Sequence, residues 1–144
     1  MTIDTHTHLY DADFRADFDE VVLRAKGAGV CKCIMPAIDI STFDDMCAAE
    51  RTLEGFAYAA IGLHPTSVKE NWREELDFVK GEFARRDYCA VGEIGLDGYW
   101  SRDFIEEQKT VFYEQMVMAA SRDIPVIIHL REATDDMYEV LDKI

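Results

Sequence analysis

The chain carries four histidines, His6, His8, His64 and His129. His6 and His8 form an H-x-H pair. On an extended segment, residues two apart share a face, so both imidazoles can reach one metal ion. Asp4 lies two residues earlier on the same face, where it could hydrogen-bond an imidazole and orient it. Glu93 sits within Val91-Gly-Glu-Ile-Gly-Leu-Asp97. An ionised carboxylate in an apolar strand is costly unless it is paired or binds a metal, and flanking glycines leave room for close backbone approach. His129 ends the run Pro125-Val-Ile-Ile-His129. Taken singly, these residues have bland alternatives: a frayed terminus, a structural ion pair, a core histidine. As a group they are the donor set of a hydrolytic metal site. Nitrogen and oxygen ligands suit zinc, manganese or magnesium. A carboxylate between two clusters can bridge two ions about 3.5–4 Å apart, which bind a phosphoryl oxygen and lower the pKa of a bound water.

Other polar residues fall where they could meet a substrate. His64 precedes Pro65 in Gly62-Leu-His-Pro-Thr66 and is placed to touch substrate from the rim. Arg131, two residues after His129, suits a phosphate clamp as well as it suits an ordinary surface position. Asp97, Tyr99 and Trp100 form a loop that could line a mouth. Its aromatic rings could stack bases, although core or lid packing explains them equally well.

The elements that must position these residues alternate regularly. Strands are expected over Met1–His8, Val30–Pro36, Phe56–Leu63, Tyr88–Ile94 and Pro125–His129. The last is a continuous apolar run, as expected of a strand buried on both faces. Helical spacing appears at Phe14, Phe18, Val21, Val22 and Ala25, and again at Trp72, Leu76, Val79 and Phe83. Further helices are expected from Ser41 with Asp44 or Asp45 in the first turn, from Phe104 to Ser121, and around Met137, Val140, Leu141 and Ile144. A β-α order repeated five times predicts parallel strands with helical crossovers. The expected strand ends lie near His8, Pro36, His64, Glu93 and His129, so the units recur every 28 to 36 residues. An open doubly wound sheet would be complete at this length. A closed eight-stranded barrel needs about 250 residues. The polar residues lie at the ends of strands one, three, four and five, a ring-like spread that favours the barrel.

Composition narrows the function classes. The chain has 144 residues, with 15 Lys plus Arg against 29 Asp plus Glu, for a net charge of −14. That excludes a broad basic surface for gripping phosphate backbones, so any nucleic-acid chemistry is confined to a local site with a metal supplying positive charge. No apolar run approaches the roughly 18 residues of a membrane span. The acidic first 20 residues lack the basic region of a secretory signal. Cys31, Cys33, Cys47 and Cys89 contain no C-x-x-C pair and read as reduced core thiols of a cytoplasmic protein.

Four stretches together resemble the TatD family of metal-dependent deoxyribonucleases, among the amidohydrolase-like barrels: Asp4-Thr-His-Thr-His8, Gly62-Leu-His-Pro65, Gly92-Glu-Ile-Gly-Leu-Asp97 and Pro125-Val-Ile-Ile-His-Leu-Arg131. Each is modest alone; the ordered set is highly specific. The resemblance implies a TIM-type (β/α)8 barrel, here its first five βα units as one domain over residues 1–144, and metal-dependent phosphodiester hydrolysis of DNA or a short nucleic acid. It implies that His6, His8 and Glu93 hold a first divalent ion and that Glu93 and His129 serve a second, with Mg, Mn or Zn as candidates. His64, Asp97 and Arg131 match positions around the site. The family's further ligand histidine and its water-activating aspartate have no counterpart up to Ile144. A chain of five units is therefore expected to bind one ion, to expose barrel edges and to associate with a second copy. Other readings are a small-molecule phosphoesterase of the polymerase-and-histidinol-phosphatase type, which also starts with an H-x-H strand, and an inactive half-barrel that binds one metal.

Overall fold

A computed structural model describes residues 1–144 as five parallel strands alternating with helices. The strands are β1 (Thr2–Asp4), β2 (Val30–Met35), β3 (Ala57–Ala59), β4 (Val91–Asp97) and β5 (Val126–Arg131). The helices are α1 (Phe18–Gly27), α2 (Ile40–Thr52), α3 (Trp72–Arg85), α4 (Ile105–Ala120) and α5 (Thr134–Leu141). β1, β2 and β3 pair in parallel in that order, and β4 pairs with β5. A parallel bridge between Ile61 and Val91 joins the two ladders.

The boundaries differ from the sequence expectation in ways that bear on the site. β1 stops at Asp4, so His6 and His8 lie beyond the strand. β3 covers only three residues of the expected Phe56–Leu63 run. Its hydrogen bonds reach β2 as far as Ala60, and from Ile61 onward they turn to the start of β4. β4 begins later and continues to Asp97, which places Glu93 mid-strand. The start of α2 is capped by Asp39, whose carboxylate accepts the Ser41 N–H, rather than supported by Asp44 or Asp45. This is the usual chemistry of an N-terminal cap.

Burial follows sheet position. All seven residues of β4 are buried: α4 and α5 pack against it, and β5 and the Ile61 bridge pair along its two edges. β5, expected to be buried on both faces, is largely exposed, with Ile128 and Leu130 each 44% accessible. β1 is exposed throughout. Each of these strands has a single paired neighbour, so nothing covers its outer side. The core is one continuous cluster that includes Met35, Ile61, Leu63, Ile94, Leu96 and Phe112. Full burial of a side chain such as Phe112 contributes about 1.5–3 kcal/mol. Gly95, at φ +141, faces His129 across the β4–β5 ladder, and a Cβ there would overlap the His129 carbonyl oxygen. Only glycine takes that conformation and permits that approach. Cys33 is buried, whereas Cys89 is exposed and so is not a core thiol. No helix is long and apolar enough to cross a membrane.

Candidate metal centre

Glu93 is the hub of the polar cluster. Its backbone N–H donates to the carbonyl of Ala37 just beyond β2, and its side chain points among four imidazoles. Oε2 lies 3.0 Å from His6 Nε2 and 3.5 Å from His8 Nε2. Oε1 lies 3.1 Å from His129 Nδ1 and 3.7 Å from His64 Nε2. Each carboxylate oxygen thus serves a different pair of histidines. Burial alone would push Glu93 up, but the imidazoles of His8, His64, His6 and His129 around it outweigh burial. Its pKa falls to about 2.

His6 and His8 project from the extended segment after β1, and their Nε2 atoms are 3.3 Å apart. The Thr7 N–H donates to the Ile34 carbonyl, which carries the β1–β2 pairing past the strand end and keeps both side chains on one side. Asp4 does not reach an imidazole; its carboxylate accepts the His6 backbone N–H at 3.1 Å. The residue that orients His8 is Tyr10. Its hydroxyl donates to the Pro36 carbonyl and lies 2.9 Å from His8 Nδ1. With that proton committed, the Tyr10 oxygen accepts from His8 Nδ1–H. The other ring nitrogen, Nε2, then faces Glu93.

His129 is held in the same manner from the other side. Its Nε2 lies 2.8 Å from Asp97 Oδ2. Asp97 is 2% exposed. Burial would raise its pKa, but the His129 hydrogen bond and the N–H groups of Tyr99 and Trp100 lower it. An ionised Asp97 only accepts, so His129 Nε2 carries the proton. The other ring nitrogen, Nδ1, faces Glu93 Oε1 at 3.1 Å.

His64 has the opposite polarity. It caps the short helix Pro65–Ser67, and its Nδ1 accepts the Thr66 N–H at 3.1 Å. A backbone N–H can only donate, so Nδ1 is unprotonated and the neutral ring presents Nε2–H to the cluster. Burial lowers the His64 pKa to about 4, with the other histidines adding to the fall and Glu93 opposing it. Near neutral pH it is a hydrogen-bond donor facing the site.

His8 Nε2 and His129 Nδ1 converge on the two acceptor oxygens of one carboxylate. A carboxylate buried among imidazoles is satisfied by positive charge between the groups, from imidazole protons or from a metal ion. Donor spacing fits a metal ion. Two nitrogens on one tetrahedral zinc at about 2.05 Å sit roughly 3.3 Å apart, and His6 and His8 match this. The donor atoms of His6, His8 and Glu93 lie within 4.8 Å of one another, as do those of His64, Glu93 and His129. The tautomer of His64 sets it apart within the second group.

Arg131 ends β5 opposite Asp97 and lies over the Tyr99 ring, 3.5 Å from its centroid. Two further residues went unread in the sequence. Gln108 and Gln115 lie seven residues apart on α4, on the same stripe as Val111, Phe112 and Ala119, and are 4% and 0% exposed. The Gln108 amide exchanges two hydrogen bonds with the peptide groups of Asp97, at 2.8 and 3.2 Å. The Gln115 amide does the same with Leu63, at 2.7 and 3.3 Å. Each glutamine therefore closes the backbone at or beside a site residue, Asp97 or His64. Their signal was present: amides at core positions of a helical stripe need buried partners.

The chain is similar to known proteins over nearly its whole length. Residues 3–144 match the family model described as TatD related DNase. The chain is 37% identical over 142 residues to the uncharacterized metal-dependent hydrolase YabD of Bacillus subtilis (strain 168), covering 98% of this chain and 55% of that protein. It is 29% identical over 133 residues to the 3'-5' ssDNA/RNA exonuclease TatD of Dickeya dadantii, covering 90% and 49%. The crystal structure of YjjV, a TatD homologue from Escherichia coli K12, superposes with a TM-score of 0.86 at 34% identity, covering 98% of this chain and 55% of that one. A TatD family hydrolase from Entamoeba histolytica shares the fold, with a TM-score of 0.74 at 21% identity, covering 98% and 53%. The architecture is thus the α/β, TIM-type one, and the chain spans about half the length of the relatives it matches.

Proposed function

Because the chain belongs to the TatD-related DNase family, we propose that it carries the N-terminal part of a divalent-metal site that hydrolyses phosphodiester bonds of single-stranded nucleic acid, DNA first. The observation that carries this reading is the convergence of His8 Nε2 and His129 Nδ1 on the two oxygens of Glu93. His6, His8 and Glu93 would hold one ion, and Glu93 with His129 would serve a second. Magnesium, manganese and zinc all suit this nitrogen and oxygen set. An ion bound there would supply Lewis acidity toward a phosphoryl oxygen and make water acidic enough to react near neutral pH.

The remaining residues have roles set by their hydrogen bonds. Tyr10 and Asp97 fix the tautomers of His8 and His129, as residues behind metal ligands commonly do. His64 offers Nε2–H to a non-bridging phosphoryl oxygen. Arg131 offers guanidinium donors to a neighbouring phosphate. Local positive charge of this kind is needed in a chain with a net charge of −14. Overall, the oxygen of water bonds to phosphorus, one ester P–O bond breaks, and the departing sugar oxygen gains a proton.

The test is paired. Calorimetric titration with Mn2+ should show binding in the wild type and none of comparable strength in Glu93→Ala; equal affinity would remove Glu93 from the site. A short single-stranded oligonucleotide and a phosphomonoester should then be offered with metal and with a chelator. Metal-dependent cleavage of the oligonucleotide supports the reading, and turnover of the monoester alone would favour a small-molecule phosphoesterase.

A further inference from the structure

The loop after β4 carries a feature that the metal centre does not use. Trp100 is 71% exposed and Tyr99 is 46% exposed, so neither ring is core packing. The two rings meet edge to face, with centroids 4.8 Å apart at 84°. The Arg131 guanidinium covers the Tyr99 ring at 3.5 Å and lies 5.5 Å from the centroid of Trp100. Nearby cations are taken by carboxylates: Arg102 by Asp136, and Lys109 by Glu106, Asp136 and Glu139. Arg131 instead has aromatic neighbours, which leaves its N–H edge free for an anion.

The loop is tied to the metal centre. Asp97 Oδ1 accepts the N–H groups of Tyr99 and Trp100 at 3.0 and 3.4 Å, while its Oδ2 meets His129. The Gly98 N–H donates to the Arg131 carbonyl at 2.8 Å. One carboxylate thus positions both a candidate metal ligand and an exposed aromatic pair. An exposed tryptophan face next to a free guanidinium matches the chemistry that binds unpaired nucleotides, in which a base stacks on the ring and the adjoining phosphate meets the cation.

We propose that Trp100, Tyr99 and Arg131 form a subsite for one unpaired nucleobase and its adjoining phosphate beside the metal centre. The proposal rests on the phosphodiester reading and adds the residues that hold the substrate's base. Trp100 supplies the open stacking face, Tyr99 backs Arg131, and Arg131 takes the phosphate. Every base has a π-face, so the subsite accepts any base that is not already stacked in a duplex.

The test measures binding without turnover. A cleavage-resistant phosphorothioate pentathymidylate and an abasic strand of the same backbone are titrated calorimetrically into the protein in magnesium. The wild type should bind the base-bearing strand about tenfold more tightly. Trp100→Ala should remove that preference, and Trp100→Phe should restore most of it. Equal binding of both strands by the wild type, a preference retained in Trp100→Ala, or no binding of either strand would each overturn the proposal. Trp100 is exposed, so loss of fold does not confuse the result. The outcome is independent of hydrolysis: a protein that shows the preference but cleaves no phosphodiester keeps the subsite and loses the catalytic reading.

Discussion

Tyr10 decides which nitrogen of His8 faces the metal centre. The hydroxyl gives its proton to the Pro36 carbonyl, so its oxygen accepts from His8 Nδ1, 2.9 Å away. Nε2 is left to face Glu93. Tyr10 is itself 5% exposed, and burial with the nearby charges of Asp39 and Glu93 raises its pKa, so it stays protonated.

Tyr10→Phe tests this directly. The ring still fills its place, but the acceptor for Nδ1–H is gone. Affinity for Mn2+, read by calorimetry, should fall about tenfold or more, as for other residues behind metal ligands, while the far-ultraviolet spectrum stays unchanged. Undiminished affinity would show that His8 needs no such partner.

His64 should leave a pH signature in the metal-free protein. Its pKa is lowered from the ordinary 6.5 to about 4. Between those values the unfolded chain binds a proton that the folded chain does not, so stability rises with pH there. The contribution is complete above pH 6.5 and is lost as pH falls toward 4. Urea midpoints measured in chelator across pH 4 to 7 should show this slope, and His64→Gln should flatten it. An identical slope in the variant would assign the effect elsewhere.

Gln115→Leu keeps the volume of the side chain but leaves the Leu63 N–H and C=O without partners. Each buried unpaired group costs about 1–3 kcal/mol, so urea unfolding should report a loss of about 2–5 kcal/mol. Gln115→Glu keeps an acceptor for the N–H but turns a second oxygen toward the Leu63 carbonyl, and should not rescue the loss. Gln108→Leu should also weaken metal binding, because Gln108 holds the backbone of Asp97 behind His129.

The outer strands predict association. Ile3, Ile128 and Leu130 are exposed on β1 and β5, each of which pairs on one side only. Unpaired edges with apolar side chains recruit further chains. Sedimentation of the 144-residue chain should show dimers or larger species, and Ile128→Lys with Leu130→Lys should reduce them. A well-folded monomer at micromolar concentration would contradict this expectation.

The sequence by itself determined the order of the elements and the residues that converge. Alternation of apolar runs with helical stripes sets the β-α order, because local burial patterns follow backbone period. Four short motifs carry the histidines and Glu93, and their family resemblance agrees with the comparison of whole chains. The strand limits were legible only approximately. His6 and His8 lie past β1, and Glu93 is mid-strand, since strand ends depend on which neighbour supplies hydrogen bonds. β5 reads as a doubly buried strand, yet it is largely exposed because it pairs with β4 alone.

The tertiary structure decided the proton positions. The Nδ1 partner of His8 is Tyr10, whose own proton goes to Pro36, 26 residues further on, and the Nε2 partner of His129 is Asp97, 32 residues away. His64 takes the opposite tautomer from a backbone N–H only two residues on. A histidine in a sequence is a ring with two equivalent prospects. Hydrogen-bond direction makes it a ligand or a donor, and that direction is fixed by groups brought together only when the chain folds.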